Sequence, residues 1–405
     1  MTPLISIAVP THNRARYAVH AIRSILALRC PELELVVSDT SDSAELLERL
    51  QGQGSLDDAR LRYERPAQAL DMNGNHNAVL ERCRGQYVCL IGDDDTVTAE
   101  LPLAARWAAE RGVQVLVPNI VASYFWPDFR SSKLGLAHAG RLYFGKDLNA
   151  AASRSDSRVA LQQALRGAAQ GTDGLPKLYH GLVRRDLLEE LKRRSGQYVH
   201  GSSPDMSAAV ALSLVCPEFV SINYPLTVPG GSGGSNTGRS AMNQHRGRMG
   251  EDSQTKAFVN QGWSLGVPRY FAVETVWAHA ALDTLRVLAP TLLGEFNFAR
   301  LIAACRLNHP QSVAENLRAE QEAARVLGIS DASWSPQLHR EERSLRREAR
   351  IRLMRRLLRP TASGGRPFVP DIDNVAEVAG PVGMHLRKLG LDWAHAESCL
   401  STVLN

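Results

Sequence analysis

Three consecutive carboxylates, Asp93, Asp94 and Asp95, follow a short apolar run that ends at Gly92. Such a run is typical of a buried strand, and ligands of open α/β sheets bind beyond the carboxyl ends of the strands. Adjacent acids repel one another unless a cation lies between them, and hard oxygen ligands suit Mg²⁺ or Mn²⁺. The cluster therefore predicts a divalent cation and, through it, a phosphate. The alternative is a solvated acidic turn that closes a strand.

The elements that must position these carboxylates alternate between strands and helices. We predict strands at 4–9, 33–37, 61–64, 85–91 and 113–120, and helices at 15–28, 44–50, 75–84 and 102–111. Alternation with short connections predicts a parallel sheet with right-handed crossovers. Polar residues recur where the strands end, as a nucleotide site at that edge would require.

Beyond residue 120 the pattern is less regular. Further helices are predicted at 160–169, 185–194 and 207–216, and the pattern is helical from about Gln261 onward. Residues 230–238 are rich in glycine, and we expect them to form no regular element. They would then be either an inert linker or a mobile lid over a site.

The composition is that of an ordinary globular protein, with 405 residues, 22% of them charged and 44% hydrophobic. This length predicts two or three domains. The net charge of +5 is mild, so charge matters only where it clusters. Six scattered cysteines without a C-x-x-C pair argue against a zinc site and a disulfide framework, and they favour a reducing compartment.

The first apolar run begins at Leu4, which leaves no room for a signal peptide. No apolar run approaches the length of a membrane span. We therefore expect a cytoplasmic protein, either soluble or attached peripherally to the inner face of the membrane.

Residues 343–359 contain eight arginines around Leu345, Ala349, Leu353 and Leu357. This pattern predicts an arginine-rich amphipathic helix, which could lie on an anionic membrane surface or bind nucleic acid. The more ordinary alternative is a solvated helix face that is partly salt-bridged. The helical C-terminal part could also mediate oligomer contacts.

Three segments, in this order and spacing, resemble the family 2 glycosyltransferases of GT-A fold. They are Val-Pro-Thr-His-Asn-Arg at 9–14, Val-Ser-Asp at 37–39, and Gly-Gln-Tyr-Val at 85–88 running into Gly-Asp-Asp-Asp at 92–95. The resemblance covers roughly the first 240 residues. Those enzymes transfer a sugar from a nucleotide diphosphate donor to an acceptor hydroxyl.

The resemblance implies an α/β fold with a Rossmann-like, mainly parallel sheet flanked by helices and followed by a C-terminal α-helical region. Residues 1–120 would be the nucleotide-sugar-binding part. Residues 121–250 would be the acceptor-binding part with the glycine-rich loop, and residues 251–405 the helical region.

The same resemblance assigns roles to particular residues. Asp39 matches the position that contacts the base, commonly uracil, and Asp93 and Asp95 match the outer acids of the metal-binding Asp-x-Asp motif, which implies Mn²⁺ or Mg²⁺. His12 and His76 depart from the family pattern, which affects the details of donor choice. The residues implied in nucleotide binding are Pro10, Thr11, Asn13, Arg14, Asp39, Asn75, Asp93 and Asp94.

An acceptor hydroxyl is a poor nucleophile and needs a base. In the family, an Asp or Glu at the head of an equivalent helix is that base, so Asp205 is the catalytic candidate and inversion at the sugar carbon is implied. The alternative role for Asp205 is to complement the helix dipole or to cap free N–H groups. His180 and His245 could contact the acceptor or the diphosphate, but structural roles are the more ordinary expectation for both.

The sequence thus predicts a metal-dependent, inverting glycosyltransferase with a UDP-sugar donor. Its acceptor would be a saccharide or lipid-linked, in the synthesis of a surface polysaccharide or glycolipid, and no nucleic-acid partner is expected. A nucleotidyltransferase is one alternative, although residues 10–14 contain no glycine for a phosphate loop. Another is a catalytically silent nucleotide fold that binds membrane or nucleic acid through its basic helix.

Overall fold

The computed structural model describes residues 2–260, 262–357 and 363–404. The strands within these ranges are β1 (Ile5–Thr11), β2 (Leu33–Asp39), β3 (Leu61–Glu64), β4 (Tyr87–Leu90), β5 (Thr96–Val97), β6 (Val115–Pro118), β7 (Ala122–Phe125), β8 (Arg141–Phe144), β9 (Ala152–Asp156), β10 (Leu182–Arg184), β11 (Glu218–Ile222), β12 (Thr227–Val228), β13 (Gly230–Gly231), β14 (Arg246–Arg248), β15 (Tyr270–Ala272) and β16 (Phe368–Val369). The helices are α1 (Ala15–Leu26), α2 (Glu45–Gly52), α3 (Met72–Glu81), α4 (Leu101–Arg111), α5 (Ser157–Arg166), α6 (Arg185–Ser195), α7 (Pro204–Val215), α8 (Asn236–Ala241), α9 (Ser253–Lys256), α10 (Val273–Leu288), α11 (Phe298–Asn308), α12 (Val313–Leu327), α13 (Asp331–Leu357), α14 (Ala379–Lys388) and α15 (Trp393–Thr402).

The central sheet has the strand order β3-β2-β1-β4-β10-β6-β11-β9. β1 pairs in parallel with β2 and β4, β2 with β3, and β6 with β11. β10 and β9 run antiparallel to their neighbours. The strands β1, β2 and β4 are buried along their whole length, as parallel strands covered on both faces must be. The predicted α/β fold with a mainly parallel sheet is confirmed, whereas the antiparallel β10 in its middle was not foreseen.

The register of the parallel strands brings their ends to one edge of the sheet. Thr11, the last residue of β1, lies opposite Asp39, the last residue of β2. Ala8 of β1 lies opposite Leu90, the last residue of β4, so the acid cluster that follows β4 reaches the same edge. The predicted convergence of the polar strand ends is therefore present.

Two helices begin three residues before their predicted starts because a capping aspartate precedes each of them. The Asp71 carboxylate accepts a hydrogen bond from Gly74 N at 2.7 Å, so α3 begins at Met72. The Asp156 carboxylate accepts one from Val159 N at 2.8 Å, so α5 begins at Ser157. The polar first turns of both helices hide these starts from a pattern that depends on apolar residues.

The expectation that residues 230–238 form no regular element is wrong. Gly230 and Gly231 form β13, which pairs in parallel with β7, and α8 begins at Asn236 behind a Ser235 cap. A Cβ at Gly230 would lie 1.8 Å from the backbone oxygen of Asp94, so only glycine allows this close approach. The glycine-rich segment is therefore packed directly against the acid cluster.

The helical C-terminal region is confirmed from Val273 onward. Its helices α10 to α13 share a hydrophobic core with α5 and α7. The predicted start at Gln261 and the predicted helix end at Arg359 lie outside the described residues. None of the described helices combines the length and the apolar character that crossing a membrane requires.

The last described segment does not stay with those helices. β16 pairs with β8, and Val375, Val382 and Leu400 join the core beneath the central sheet. Trp107 Nε1 donates to Ser401 Oγ at 3.2 Å, which ties α15 to α4. The chain thus returns to the central sheet, a path that the helical pattern alone did not indicate.

Candidate active site

Arg14 lies between the first two aspartates of the acid cluster. Its Nε donates to Asp93 Oδ1 at 2.6 Å, and its Nη2 lies 2.8 Å from Asp94 Oδ2. The same Nη2 donates to Ser232 Oγ at 2.9 Å. The side chain of Arg14 is 17% exposed, and its Nη1 is buried without a hydrogen-bond partner in the described part of the chain. The guanidinium therefore supplies the positive charge that the adjacent carboxylates need, and it keeps one donor unused.

The remaining contacts of Asp93 and Asp94 come from distant parts of the chain. Thr11 Oγ1 donates to Asp93 Oδ2 at 2.6 Å. Ser232 donates to Asp94 Oδ2 twice, from Oγ at 2.6 Å and from its backbone N at 3.2 Å. Trp126 Nε1 donates to the backbone oxygen of Asp94 at 3.0 Å. The end of β1 and the segment after β13 thus hold the cluster from two sides.

Asp95 faces inward and is held by both of its carboxylate oxygens. Gly92 N donates to Oδ2 and Gly230 N to Oδ1, both at 2.6 Å. His180 Nε2 lies 3.3 Å from Oδ2, and Tyr179 Oη donates to the same oxygen at 3.4 Å. A Cβ at Gly92 would lie 2.5 Å from the Tyr179 hydroxyl, so this turn also requires glycine. Asp95 is therefore the structural centre of the turn.

The environment moves the pKa values of two of these carboxyls in opposite directions. Burial raises the pKa of Asp94 to about 7, against the pull of Arg14 and with a further push from Asp95 and Asp93. Burial also acts on Asp95, but the charge and hydrogen bond of His180 and the N–H groups of Gly230 and Gly92 outweigh it and lower the pKa of Asp95. The cluster thus combines a firmly ionised acid with one that titrates near neutrality.

Three adjacent aspartates are chemically suited to a hard divalent cation. In the described part of the chain, however, no three His, Cys, Asp or Glu side chains are arranged as a ready metal site. The Arg14 guanidinium and hydroxyl or N–H donors face the oxygens of Asp93 and Asp94 instead. The donor set therefore fits Mg²⁺ or Mn²⁺ by its chemistry, with Arg14 as a competing cation.

Asp39 ends β2 and Asn13 follows β1, so both lie at the same edge of the sheet as the acid cluster. Asp39 is buried, and it accepts from Ser41 N at 2.9 Å and from the Tyr63 hydroxyl at 2.6 Å. Asn13 has a left-handed backbone with φ of 55°, and its amide exchanges hydrogen bonds with Asp42 at 2.7 and 3.0 Å. These contacts order the loops after β1 and β2 at the same edge of the sheet.

Asn75 and Pro10 lie beside the ends of β1 and β2. Asn75 Nδ2 donates to Thr11 O at 3.1 Å and to Ser38 O at 3.3 Å, which joins the ends of β1 and β2. Its Oδ1 is buried and has no hydrogen-bond partner among the described residues. Pro10 is buried within β1 opposite Ser38. Both residues lie at the predicted edge, and Asn75 retains an unused acceptor.

Asp205 lies in the first turn of α7, close enough to the acid cluster to act on the same side chains. It makes no capping contact with the helix, and its Oδ1 accepts a hydrogen bond from Ser203 Oγ. Burial is the main reason that the pKa of Tyr179 is raised well above its ordinary value, and the charges of the three clustered aspartates and of Asp205 add to it. The pKa of His76 is lowered by burial, and the charges of Asp205 and Asp93 oppose that shift. The charges of Asp205 and of the acid cluster therefore act on the same two side chains, Tyr179 and His76.

The two histidines of uncertain role are in different places. His180 contacts Asp95, and its backbone is left-handed, with φ of 65°. Its amide N donates to Leu90 O at 2.8 Å, which ties it to the end of β4. His245 stacks on Phe271 with ring centroids 4.6 Å apart and contacts Ser240 Oγ at 3.0 Å. The structure thus brings His180 into the acid cluster, while the described contacts of His245 are with α8 and β15.

Sequence reasoning missed three contributors to the site: Ser232, the backbone N–H of Gly230, and the Tyr179 hydroxyl. Consecutive glycines were the available signal for the first two, because they let backbone N–H groups approach carboxylates closely. No comparable signal marked the hydroxyl of Tyr179, whose contact with Asp95 spans 84 positions in the sequence.

Ligands of open α/β sheets bind at such an edge, beyond the carboxyl ends of the strands. The sequence model of Glycosyl transferase family 2 matches residues 6–151, which hold β1 to β8 and the acid cluster. The match covers less than half of the chain, and it confirms the resemblance found in the strand-end motifs.

Two curated relatives match parts of the chain. The uncharacterized protein y4gI of Sinorhizobium fredii is 31% identical over 144 residues, which are 34% of this chain and 15% of that protein. The GalNAc(5)-diNAcBac-PP-undecaprenol beta-1,3-glucosyltransferase of Campylobacter jejuni is 34% identical over 97 residues, which are 23% of this chain and 30% of that protein. The chain thus spans less than a third of the length of either relative.

Solved structures of S. aureus TarS are similar over more of the chain but more weakly. One covers 84% of this chain and 55% of its own, with a TM-score of 0.43 and 14% identity. TarS 1–349 in complex with UDP-GlcNAc covers 81% of this chain and 93% of its own, with a TM-score of 0.43 and 13% identity.

Proposed function

We propose that this protein is an inverting glycosyltransferase that takes a sugar from a nucleotide diphosphate donor, with UDP as the expected nucleotide. The observation that carries the proposal is the pairing of Arg14 with the acid cluster at the carboxyl edge of a segment that matches Glycosyl transferase family 2. The donor class follows from the family match, and the geometry of the site supports the other steps.

The nucleotide is proposed to lie along the edge formed by β1 and β2. Asp39 would accept hydrogen bonds from the base, because a carboxylate oxygen can accept more than one donor. Thr11 and Asn13 would face the ribose and the diphosphate, and the unused Oδ1 of Asn75 would accept a hydrogen bond from a ribose hydroxyl. The unused Nη1 of Arg14 would donate to a phosphate oxygen in a charge-assisted bond.

Asp205 is proposed to take the proton from the acceptor hydroxyl as that oxygen attacks the sugar carbon. It lies in the first turn of α7, where the partial positive charge of a helix N-terminus favours an anion. Because it is not used as a helix cap, its carboxylate is available to the acceptor. One base and one displacement imply inversion at the sugar carbon.

Asp93 and Asp95 are proposed to hold Mg²⁺ or Mn²⁺ when the donor is bound. Such an ion supplies Lewis-acid stabilisation of the charge that develops on the departing diphosphate. The protein's own contribution is the positioning of these acids by Thr11, Gly92 and Gly230.

The acceptor is proposed to be a saccharide, either free or lipid-linked, in the assembly of a surface polysaccharide or glycolipid. The name of the Campylobacter jejuni relative includes PP-undecaprenol, which supports a lipid-linked class. A cytoplasmic location accords with such an acceptor and remains a prediction.

The proposal is tested first by thermal shift of the full chain with UDP, GDP and dTDP sugars, each with and without Mn²⁺. A ligand of the native state raises the unfolding temperature with the logarithm of its excess over Kd. We expect UDP-sugars with Mn²⁺ to give the largest rise and to be hydrolysed slowly. Equal, negligible shifts for every sugar nucleotide would contradict the proposed donor class.

The role of Asp205 is tested by Asp205→Asn. We expect donor hydrolysis or transfer to fall by roughly 10²- to 10⁴-fold, the usual contribution of a general base, while the UDP-sugar still raises the unfolding temperature. Asp156→Asn is the matched control, since Asp156 also stands at the start of a helix but only caps it. Full activity of Asp205→Asn would remove Asp205 from the mechanism.

A further inference from the structure

The arginine-rich helix α13 has two parts with different surroundings. In the first part, acids of the helix bind arginines of α11: Arg300 contacts Glu341 at 3.1 Å and Glu348 at 2.9 Å. Glu342 lies 3.7 Å from Arg306, also of α11. These ion pairs fix the helix to its neighbour, so the acids of the first part serve the fold. Glu348 also lies 3.9 Å from Arg352, one turn further along the helix.

Beyond Glu348 the anchoring acids end. The stretch 349–370 contains six arginines and no aspartate or glutamate. Residues 350–356 are here called the basic end of α13, and all of these side chains are exposed. Three of them are large and apolar: Ile351 is 40%, Leu353 60% and Met354 65% exposed. Apolar side chains concentrated on one exposed helix end are unusual for a face that only solvent covers.

The helical repeat separates the two kinds of side chain. At about 100° per residue, Arg352, Arg355 and Arg356 fall on one side of the basic end of α13. Leu353, Met354 and Ile351 fall on the other side, with Arg350 among them. Exposed apolar side chains with arginines beside and among them are typical of a helix that lies in a membrane interface.

The neighbouring sheet continues this surface. A Cβ at Gly364 would lie 3.9 Å from Arg356 Nη1, and one at Gly365 would lie 3.4 Å from Lys146 Nζ. Arg141 stacks over the ring of Phe368, which is 40% exposed, at 4.7 Å from its centroid. Arg366 lies equally close to the ring of Tyr143. Strands β8 and β16 therefore add cations and an exposed aromatic ring to the basic end of α13.

The local electrostatics agree with a concentration of positive charge. The pKa of His138 is lowered by burial and then by Arg366, Arg141 and Arg356 in that order. Cations from the basic end of α13 and from the neighbouring sheet thus act on one imidazole.

We infer that the basic end of α13, together with Arg141, Arg366 and Phe368, is a docking surface for an anionic lipid bilayer. Charge complementarity selects an anionic partner, and the exposed aliphatic side chains select a bilayer over a nucleic acid, whose grooves and phosphates offer them no comparable apolar medium. The inference rests on the proposed function in one respect: a lipid-linked acceptor would reach the enzyme at this membrane surface.

The test is flotation of the full chain with vesicles of phosphatidylcholine alone and with vesicles that also contain phosphatidylglycerol. We expect binding only to the anionic vesicles and a loss of binding at high salt. The triple variant Arg352→Gln/Arg355→Gln/Arg356→Gln should bind on the order of a hundredfold more weakly, since each basic residue contributes about a factor of five. Leu353→Ser/Met354→Ser should also weaken binding without a change in net charge.

The matched control removes the same charge from the first part of the helix, in Arg343→Gln/Arg346→Gln/Arg347→Gln, and should bind nearly as well as the wild type. An equal loss in this control would overturn the inference, because net charge alone would then explain binding. Tighter binding to an RNA or DNA duplex than to anionic vesicles would overturn it as well. Hydrolysis of a sugar nucleotide in the absence of vesicles should be unchanged in every variant, so a failure here is distinct from a failure of the proposed glycosyltransferase.

Discussion

The acid cluster after β4 and the basic end of α13 are both short segments dense in one sign of charge, and the fold treats them in opposite ways. Asp93, Asp94 and Asp95 are buried, and donors from other parts of the chain contact them. The basic end of α13 is exposed, and no acid lies in the sequence after Glu348 until Asp371. A buried charge must have its partners inside the protein, whereas an exposed cluster of one sign is stable in water and selects a partner outside.

This contrast predicts that single changes in the acid cluster have large effects and single changes in the basic end have small ones. In Asp95→Asn, an amide NH₂ group replaces an oxygen that accepts from Gly92 or Gly230, so two donors would face each other. We expect a loss of roughly 3–5 kcal/mol in the free energy of unfolding, as for other broken buried pairs. Urea denaturation followed by circular dichroism measures it.

The comparison variant is Arg352→Gln at the exposed end of α13, where we expect a change within about 0.5 kcal/mol. If the two variants were equally stable, Asp95 would not be the structural centre of its turn and the contrast between the regions would fail.

The second prediction concerns the glycine that lets β13 approach the cluster. In Gly230→Ala the added Cβ would lie 1.8 Å from a backbone oxygen, which cannot move away as a flexible side chain would. We expect a loss of about 3 kcal/mol, the upper part of the range for overpacking, together with weaker binding of the sugar nucleotide. Gly294→Ala is the control, because nothing lies within 4 Å of its added Cβ. A Gly230→Ala variant as stable as this control would refute the close packing.

The acid cluster and the glycine beside it show how far the sequence alone could lead. The apolar run before Asp93 and the polar ends of the first two strands were sufficient to predict a parallel sheet with its site at the carboxyl edge. The spacing of apolar residues that indicates a buried strand or a helix can be read within a short window of sequence. The bond from Ser232 to Asp94 spans 138 positions, and a local pattern gives no measure of such a distance. The packing of residues 375–400 against the core of the central sheet could not be predicted for the same reason. The apolar face of an amphipathic helix gives no information about which element it packs against.

The third prediction examines the competition between Arg14 and a divalent cation for the carboxylate of Asp93, which the ion pair and the proposed metal site share. In Arg14→Met the cation between Asp93 and Asp94 is lost while a flexible side chain remains. We expect the ligand-free protein to bind Mn²⁺ roughly tenfold more tightly, an effect of about 1.4 kcal/mol. Electron paramagnetic resonance of free Mn²⁺ during titration measures this affinity without any turnover.

Arg16→Met is the control, since Arg16 contacts Asp128 away from the cluster. Arg14→Lys, which keeps the charge but loses the planar fork, should fall between the wild type and Arg14→Met. Weaker Mn²⁺ binding by Arg14→Met would show that Arg14 supports the cation instead of competing with it.

The last prediction depends on pH and tests the buried acid cluster directly. Folding raises the pKa of Asp94 from 3.8 to about 7, so between these values the folded protein keeps a proton that the unfolded chain has released. Wild-type stability therefore falls as pH rises through this window, because the folded state binds more protons there. Asp94→Asn cannot titrate and lacks this decline.

The unfolding free energy of Asp94→Asn relative to the wild type should therefore rise between about pH 4 and about pH 7, by about 1 kcal/mol for each pH unit. The lost contact with Arg14 lowers the whole curve and leaves this slope unchanged. Thermal unfolding across that range measures the difference, with Asp156→Asn as a reference for an exposed capping acid. A difference that stays constant with pH would mean that Arg14 keeps Asp94 ionised throughout. The cluster would then hold three full negative charges at every pH above the ordinary range of an aspartate.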